Sequence, residues 1–104
     1  VLPNLKRLLA DNFNEMICLI KPQFEAGKEF VEKGGVVRDK SVHAQVIKNV
    51  IDCSHDLGYG VLGLTFSSIK GPKGNIEYLI HIATGVEDID IDVDKVVNQA
   101  HEEL

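Results

Sequence analysis

The apolar residues of this chain form short strand-like runs and longer stretches with helical spacing. Residues 16–20 are a continuous apolar run of strand length. Such a run is typical of a strand that is buried on both faces, as in parallel sheets covered by helices. We expect this strand to end at about Lys21, because Pro22 cannot donate a hydrogen bond to a sheet ladder.

Two further stretches, residues 59–68 and 76–82, have the composition of strands. The connection between them, residues 69–75, is rich in glycine and too short for a crossover helix, so these two strands should pair antiparallel. A helix-length connection precedes the first of the two. We therefore expect that strand to run parallel to the strand at 15–20.

Apolar residues recur at helical spacing in three segments of the chain. Leucines on one face predict a helix over residues 1–11, and a second helix should begin at a cap, Asp39 or Ser41, and end before Gly58. A third helix should begin at about Asp92. The order α-β-α-β-β-α predicts the α/β fold class with a mixed sheet whose last strand is antiparallel.

Length limits the chain to one domain, residues 1–104, and the start at Val1 inside a predicted helix favours a fragment. No apolar run approaches the roughly 18 residues that span a bilayer, and no signal peptide opens the chain, so no membrane partner is expected. Cys18 and Cys53 lack metal-binding spacing and predict reduced thiols in a cytoplasmic protein.

The net charge of −5 is concentrated at the C-terminal end of the sequence. Residues 21–73 carry eight bases and six acids, whereas residues 74–104 carry one base and eight acids. The middle segment can therefore face the phosphates of a nucleic acid while the acidic segment stays in water. The charge distribution permits an RNA partner but does not by itself indicate one.

Lys21 is the first candidate for chemistry, because it lies where a buried strand meets the long polar connection 22–40. Ligands of open α/β sheets bind at the carboxyl ends of the parallel strands. Partial desolvation there would lower the pKa of the lysine and suit it to acid–base or electrostatic work. The alternative is a lysine whose ammonium group extends past the sheet into solvent.

Glu77 is the second candidate, because it begins an antiparallel strand in an otherwise apolar stretch. An antiparallel strand begins at the edge where its parallel neighbour ends, so Glu77 should share an edge with Lys21, with one strand between them. Two opposite charges at the ligand edge make a better candidate site than either alone. A solvent-facing glutamate is the alternative.

The acidic stretch at 88–92 resembles a calcium loop. It lacks the glycine and the final glutamate of such a loop, which favours a solvated linker.

Three segments together resemble the TlyA family, bacterial proteins historically called haemolysins and related to FtsJ/RrmJ-type ribosomal RNA 2′-O-methyltransferases. They are Lys21-Pro-Gln-Phe-Glu-Ala-Gly, Gly34-Gly-Val-Val-Arg-Asp and Gly71-Pro-Lys-Gly-Asn-Ile-Glu-Tyr-Leu. The resemblance implies the C-terminal half of a Rossmann-like, S-adenosylmethionine-dependent methyltransferase sheet, with its fifth, sixth and seventh strands. It also implies that the S4-like RNA-binding domain and the donor-binding half lie outside these residues.

The resemblance implies a catalytic role for Lys21 and Glu77, which match the second lysine and the glutamate of the family's Lys-Asp-Lys-Glu set. We further expect Gln23, Arg38 and Lys73, which stand in the three segments, to contact the substrate. The implied cofactor is S-adenosylmethionine, with no donor-binding residue and no metal site in this chain. The implied partner is ribosomal RNA or a ribosomal subunit.

Two other functions stay open. The chain could be a non-enzymatic RNA- or protein-binding module, or, following the family's old name, a membrane-lytic protein. Lysis is disfavoured because a lytic helix would be basic and amphipathic, whereas the surface helices here are acidic. For the fragment alone we expect no activity, and self-association through an unpaired apolar edge at residues 15–20.

Overall fold

The computed structural model describes residues 6–9 and 15–104, which form four strands, three α-helices and two 3₁₀ turns. The 3₁₀ turns lie at Lys28–Phe30 and Pro72–Gly74. The strands and helices, in chain order, are β1 Lys6–Leu9, β2 Glu15–Ile20, α1 Pro22–Glu25, α2 Lys40–Asp56, β3 Tyr59–Phe66, β4 Tyr78–Thr84 and α3 Val93–Glu103.

The four strands form one sheet in the order β1-β2-β4-β3. Strand β4 pairs antiparallel with both β2 and β3, so these two strands run in the same direction, as the sequence predicted. The prediction of one strand between Lys21 and Glu77 is wrong. Strand β4 lies directly beside β2, with Ile20 opposite Tyr78, so the two candidate residues are immediate neighbours at the sheet edge.

The helix predicted over residues 1–11 is wrong for Lys6–Leu9, which form β1 and pair antiparallel with β2. The rest of that predicted helix lies outside the described residues. Leucine spacing indicates only which residues are apolar, and the open hydrogen-bonding edge of β2 supplies partners that override a helical preference. The prediction of an unpaired edge at residues 15–20 is also wrong, because β1 pairs with β2 along that edge. The self-association expected there was argued only from this edge, so no described feature now supports it.

The core lies between the sheet and the helices α2 and α3, which pack against each other and against β3. Alternate residues of the central strands enter it, among them Cys18 and Ile20 of β2, both at most 2 % exposed. Ile17 and Leu19, on the other face, are only partly buried by the described residues. The prediction that β2 is buried on both faces is therefore wrong for the described residues. An unbroken apolar run does not reveal which face of a strand neighbouring helices cover. The buried core residues are Cys18, Ile20, Ala44, Val46, Ile47, Val50, Val61, Tyr78, Ile80, Ile82, Val93, Val97 and Ala100.

Both long helices begin where the sequence predicted, and α2 also ends as predicted, before Gly58. Asp39 caps α2 by accepting a hydrogen bond from the Ser41 backbone N–H at 2.8 Å. Gly58 follows α2 with a φ of 87°, a left-handed conformation that favours glycine. Asp92 caps α3 by accepting from the Lys95 N–H at 3.1 Å. Neither Cys18 nor Cys53 forms a disulfide in the part of the chain that the structure describes.

Candidate active site

Lys21 and Glu77 lie together at the edge of the sheet. Lys21 follows β2 directly and Glu77 precedes β4 directly, and the pairing of these two strands brings the side chains together. The Lys21 ammonium Nζ lies 3.9 Å from Glu77 Oε2. The Lys21 side chain is 21 % exposed and the Glu77 side chain 7 % exposed. The lysine therefore keeps one accessible side, while the carboxylate is almost completely enclosed.

The α1 turn brings a third polar side chain to this pair. Backbone N–H groups of Phe24 and Glu25 donate to the Lys21 carbonyl, and Pro22 occupies the first helical position, where no N–H is needed. The turn places Gln23 so that its Nε2 donates to Glu77 Oε2 at 2.8 Å. Gln23 Oε1 is buried and has no hydrogen-bond partner among the described residues. The structure thus joins Gln23 to the predicted pair and leaves it one unused acceptor.

The aromatic ring of Phe24 completes the surroundings of the lysine. Its centroid lies 5.6 Å from Lys21 Nζ, within the range of a cation–π contact. Phe24 as a whole is 56 % exposed. The Lys21 ammonium group therefore lies near both a carboxylate and an aromatic ring.

Asn75 joins the two glycine-containing loops behind the site. Its Oδ1 accepts from the Val37 N–H at 3.0 Å, and its Nδ2 donates to the carbonyls of Gly35 and Pro72, each at 2.9 Å. The residue is 2 % exposed. From the sequence, Asn75 was expected only to form part of the connection 69–75. The available signal was an amide directly before an apolar strand, where burial requires a full set of hydrogen bonds.

His43, also missed, extends this network into the core. Its Nε2 lies 2.7 Å from the Val37 carbonyl, which can only accept, so Nε2 carries the proton and Nδ1 accepts from the Tyr78 hydroxyl at 2.8 Å. Burial lowers the pKa of His43 and raises that of Tyr78. Both side chains are therefore neutral near pH 7, and they link helix α2 to the strand that follows Glu77.

Arg38 and Lys73, the other two predicted substrate contacts, lie apart from this pair but near each other. They line an open cleft of about 400 Å³, which we call the basic cleft. Arg38 lies 3.5 Å from Glu32 in an exposed ion pair. The cleft is lined by Val36, Val37, Arg38, Lys70, Lys73, Gly74, Ile76, His101 and Leu104.

The described residues contain no group of three or more His, Cys, Asp or Glu side chains that could hold a metal ion. In the stretch that resembles a calcium loop, Asp88 accepts from the Val61 N–H at 2.7 Å and contacts His55, while Asp92 caps α3. Across residues 6–9 and 15–104, no helix has the length and apolar character to cross a membrane.

Comparison with known proteins shows the family of the chain. The family model described as FtsJ-like methyltransferase matches residues 3–84. YqxC of Bacillus subtilis (strain 168), provisionally named an rRNA methyltransferase, is 44 % identical over 110 residues, which cover 100 % of this chain and 39 % of YqxC. The 16S/23S rRNA (cytidine-2′-O)-methyltransferase TlyA of Mycobacterium tuberculosis (strain CDC 1551 / Oshkosh) is 39 % identical over 67 % of this chain and 26 % of its own length.

A solved structure shares the fold. A protein from Lactococcus lactis, provisionally named a hemolysin, superposes with a TM-score of 0.80 and 40 % sequence identity. The matched region covers 86 % of this chain and 45 % of that one. The chain thus spans less than half the length of these relatives.

Proposed function

The chain belongs to the FtsJ-like methyltransferase family, and from this premise we propose that it carries the acceptor side of a ribosomal RNA 2′-O-methyltransferase site. Lys21 and Glu77 are the proposed catalytic residues. The observation that supports the proposal is their contact, in which a partly open ammonium group lies 3.9 Å from an enclosed carboxylate. The relative TlyA is named as a cytidine-2′-O-methyltransferase of 16S and 23S rRNA, which makes ribosomal RNA, in the cytoplasm, the proposed substrate.

The ribose 2′-hydroxyl is a poor nucleophile near neutral pH and needs help from the protein. In the proposed reaction, the hydroxyl oxygen would take a methyl group from a sulfonium donor, the donor would leave as a neutral thioether, and the hydroxyl proton would pass to solvent water. Lys21 Nζ would hold the hydroxyl oxygen and stabilise the negative charge that develops on it. Glu77 would fix the position of the ammonium group, because its carboxylate is itself held by Gln23 at 2.8 Å.

Gln23 is the proposed substrate contact within the site. Its Nε2 is used by Glu77, and its buried Oε1 lacks a partner among the described residues. A buried unpaired acceptor is costly, so a donor is expected in the complete domain. The proposed contact of Gln23 with a ribose hydroxyl or a base amino group requires its side chain to turn towards the open side of Lys21. Arg38 and Lys73 are proposed to contact the same RNA from the basic cleft.

S-adenosylmethionine is the proposed methyl donor of the complete domain. Its sulfonium-bound methyl group is what this class of cofactor supplies. The donor is proposed to bind residues outside this chain. In support, β2 leads through Lys21 into α1 without a glycine, and the glycine-containing connection after β3 leads into β4 and not into an α-helix.

Methyl transfer by a protein containing this chain and a donor-binding half tests the proposal. Tritiated S-adenosylmethionine and purified ribosomal subunits would be the substrates. Lys21→Ala and Glu77→Gln should each lower kcat about 100-fold or more while donor affinity changes little. Lys48→Ala, which removes an exposed lysine of α2, is the matched control. Near-normal turnover of Lys21→Ala would remove Lys21 from the mechanism, and RNA binding without transfer by the unmodified protein would favour a non-enzymatic binding module.

A further inference from the structure

The basic cleft has a charge opposite to that of the whole chain. The chain carries 16 acidic and 11 basic residues, yet the cleft is lined by Arg38, Lys70, Lys73 and His101 and by no aspartate or glutamate side chain. Cationic side chains gathered in a concave surface concentrate positive potential there. In a chain of net charge −5, a cleft whose lining carries three basic residues and no carboxylate side chain is a candidate surface for an anion.

The cleft is built by three segments that the fold holds together. The 36–38 segment precedes α2, the 70–74 segment follows β3, and His101 comes from α3. Asn75 ties the first two segments to each other through its three hydrogen bonds. Partly buried Ile76 belongs to the lining. The backbone segments that carry Arg38 and Lys73 are therefore held to each other by the buried Asn75.

The lysines and the arginine are able to exchange their present contacts for an anion. Arg38 is paired with Glu32 at 3.5 Å, but both side chains are at least half exposed, and such pairs contribute little. Lys70 and Lys73 are exposed. His101 differs, because its ring nitrogens lie 2.8 Å and 3.3 Å from the carbonyls of Val97 and Arg38. It supports the wall of the cleft, and Arg38, Lys70 and Lys73 are the groups that face an anion.

The loop that carries the two lysines also reaches the active site. Gly71, between Lys70 and Lys73, lies against the Glu77 carboxylate so closely that a Cβ would overlap it. We propose that the basic cleft binds the phosphodiester backbone of RNA next to the nucleotide whose ribose reaches Lys21. This inference rests on the proposed function and adds Lys70 to the predicted contacts. It assigns Arg38, Lys70 and Lys73 to phosphate and not to base recognition.

Salt-dependent RNA binding tests the inference. The protein that contains this chain would be titrated with a fluorescein-labelled RNA hairpin of about 20 nucleotides, between about 50 and 200 mM salt. Each phosphate contact contributes roughly 0.7–0.9 to the slope of log Kd against log salt. Lys70→Ala and Lys73→Ala should therefore each weaken binding about tenfold at 50 mM and about fourfold at 200 mM. Lys48→Ala and Lys95→Ala, exposed lysines outside the cleft, should leave the slope unchanged.

The outcomes separate this inference from the proposed function. If the unmodified protein transfers methyl groups but the cleft variants keep its Kd and salt slope, the cleft does not bind RNA and the catalytic proposal stands. If the protein transfers no methyl group but the cleft variants lose RNA affinity as stated, the proposed RNA binding by the cleft is supported and the catalytic proposal fails. An equal loss of affinity of the cleft variants for hairpins of different sequence supports contacts to the RNA backbone. A loss of affinity confined to one hairpin sequence would show base readout and overturn the assignment to phosphate. Variants that bind an acidic peptide more weakly, with unchanged RNA binding, would also overturn it.

Discussion

Gly71 lies directly against the side chain of Glu77, and a Cβ atom at position 71 would overlap the glutamate carboxylate. The φ of Gly71 is −75°, which any residue can adopt. The glycine is therefore required here for its missing side chain and not for an unusual backbone conformation. The position of the proposed orienting carboxylate thus depends on a residue with no functional group.

Gly71→Ala should displace Glu77 and lower turnover nearly as much as Glu77→Gln does. The overlap involves a 7 % exposed carboxylate, which has little room to move away. We expect lower kcat, unchanged donor affinity and a loss of about 1–3 kcal/mol in the free energy of unfolding. Gly63→Ala is the control, because a Cβ there would make an ordinary contact of 3.7 Å with His81. Full activity of Gly71→Ala would show that the carboxylate position is not critical.

Asn75→Ala should destabilise the protein by about 2 kcal/mol, because the buried Val37 N–H and the Gly35 carbonyl lose their partner. The Pro72 carbonyl loses one of two donors and keeps the backbone N–H of residue 75. Urea denaturation would measure the loss of stability. Asn75→Asp keeps an acceptor for Val37 but loses both donors, so it should not restore stability. Asn49→Ala is the control, since it removes only an exposed 2.9 Å bond to Gln45 on the surface of α2. Equal effects of Asn75→Ala and Asn49→Ala would contradict the role assigned to Asn75.

His43 should make the protein less stable as the pH falls below about 6.5. Burial holds the pKa of folded His43 below the usual 6.5. The unfolded chain therefore binds a proton first, and stability that is complete above pH 6.5 is lost as the pH falls towards the folded-state value. Urea unfolding at about pH 7.5 and 5.5 measures this loss. His43→Gln should reduce the difference in unfolding free energy between the two pH values. Gln45→Ala, at an exposed position of the same helix, should leave that difference unchanged. An unchanged difference in His43→Gln would assign the effect to other groups.

The sequence predicted most of the element order and the central pair of the site, for identifiable reasons. The caps Asp39 and Asp92 and the stop at Gly58 follow from local backbone chemistry, which needs no tertiary information. The shared edge of Lys21 and Glu77 follows from strand directions, which connection lengths determine.

What the sequence did not predict depends on packing between distant segments. Strand β1 forms because an edge of β2 is available, and β4 lies beside β2 although β3 precedes it in the chain. The roles of Gln23 and Asn75 depend on contacts 54 and 38 residues away. Neither periodicity nor local motifs carry information about which distant groups such amides meet.

The 104-residue chain alone should neither bind S-adenosylmethionine nor transfer a methyl group. Its described residues contain the proposed catalytic pair but no glycine-rich turn that leads from β2 or β3 into an α-helix, and the chain spans 26 % of TlyA and 39 % of YqxC. Isothermal titration of the isolated chain with S-adenosylmethionine should give no heat of binding, with circular dichroism as the check that the chain is folded. A longer protein that includes the donor-binding half should bind the donor, and Lys21→Ala should not change that affinity, because Lys21 is assigned to the acceptor hydroxyl. Micromolar donor affinity in the folded isolated chain would mean that the donor site lies within these residues.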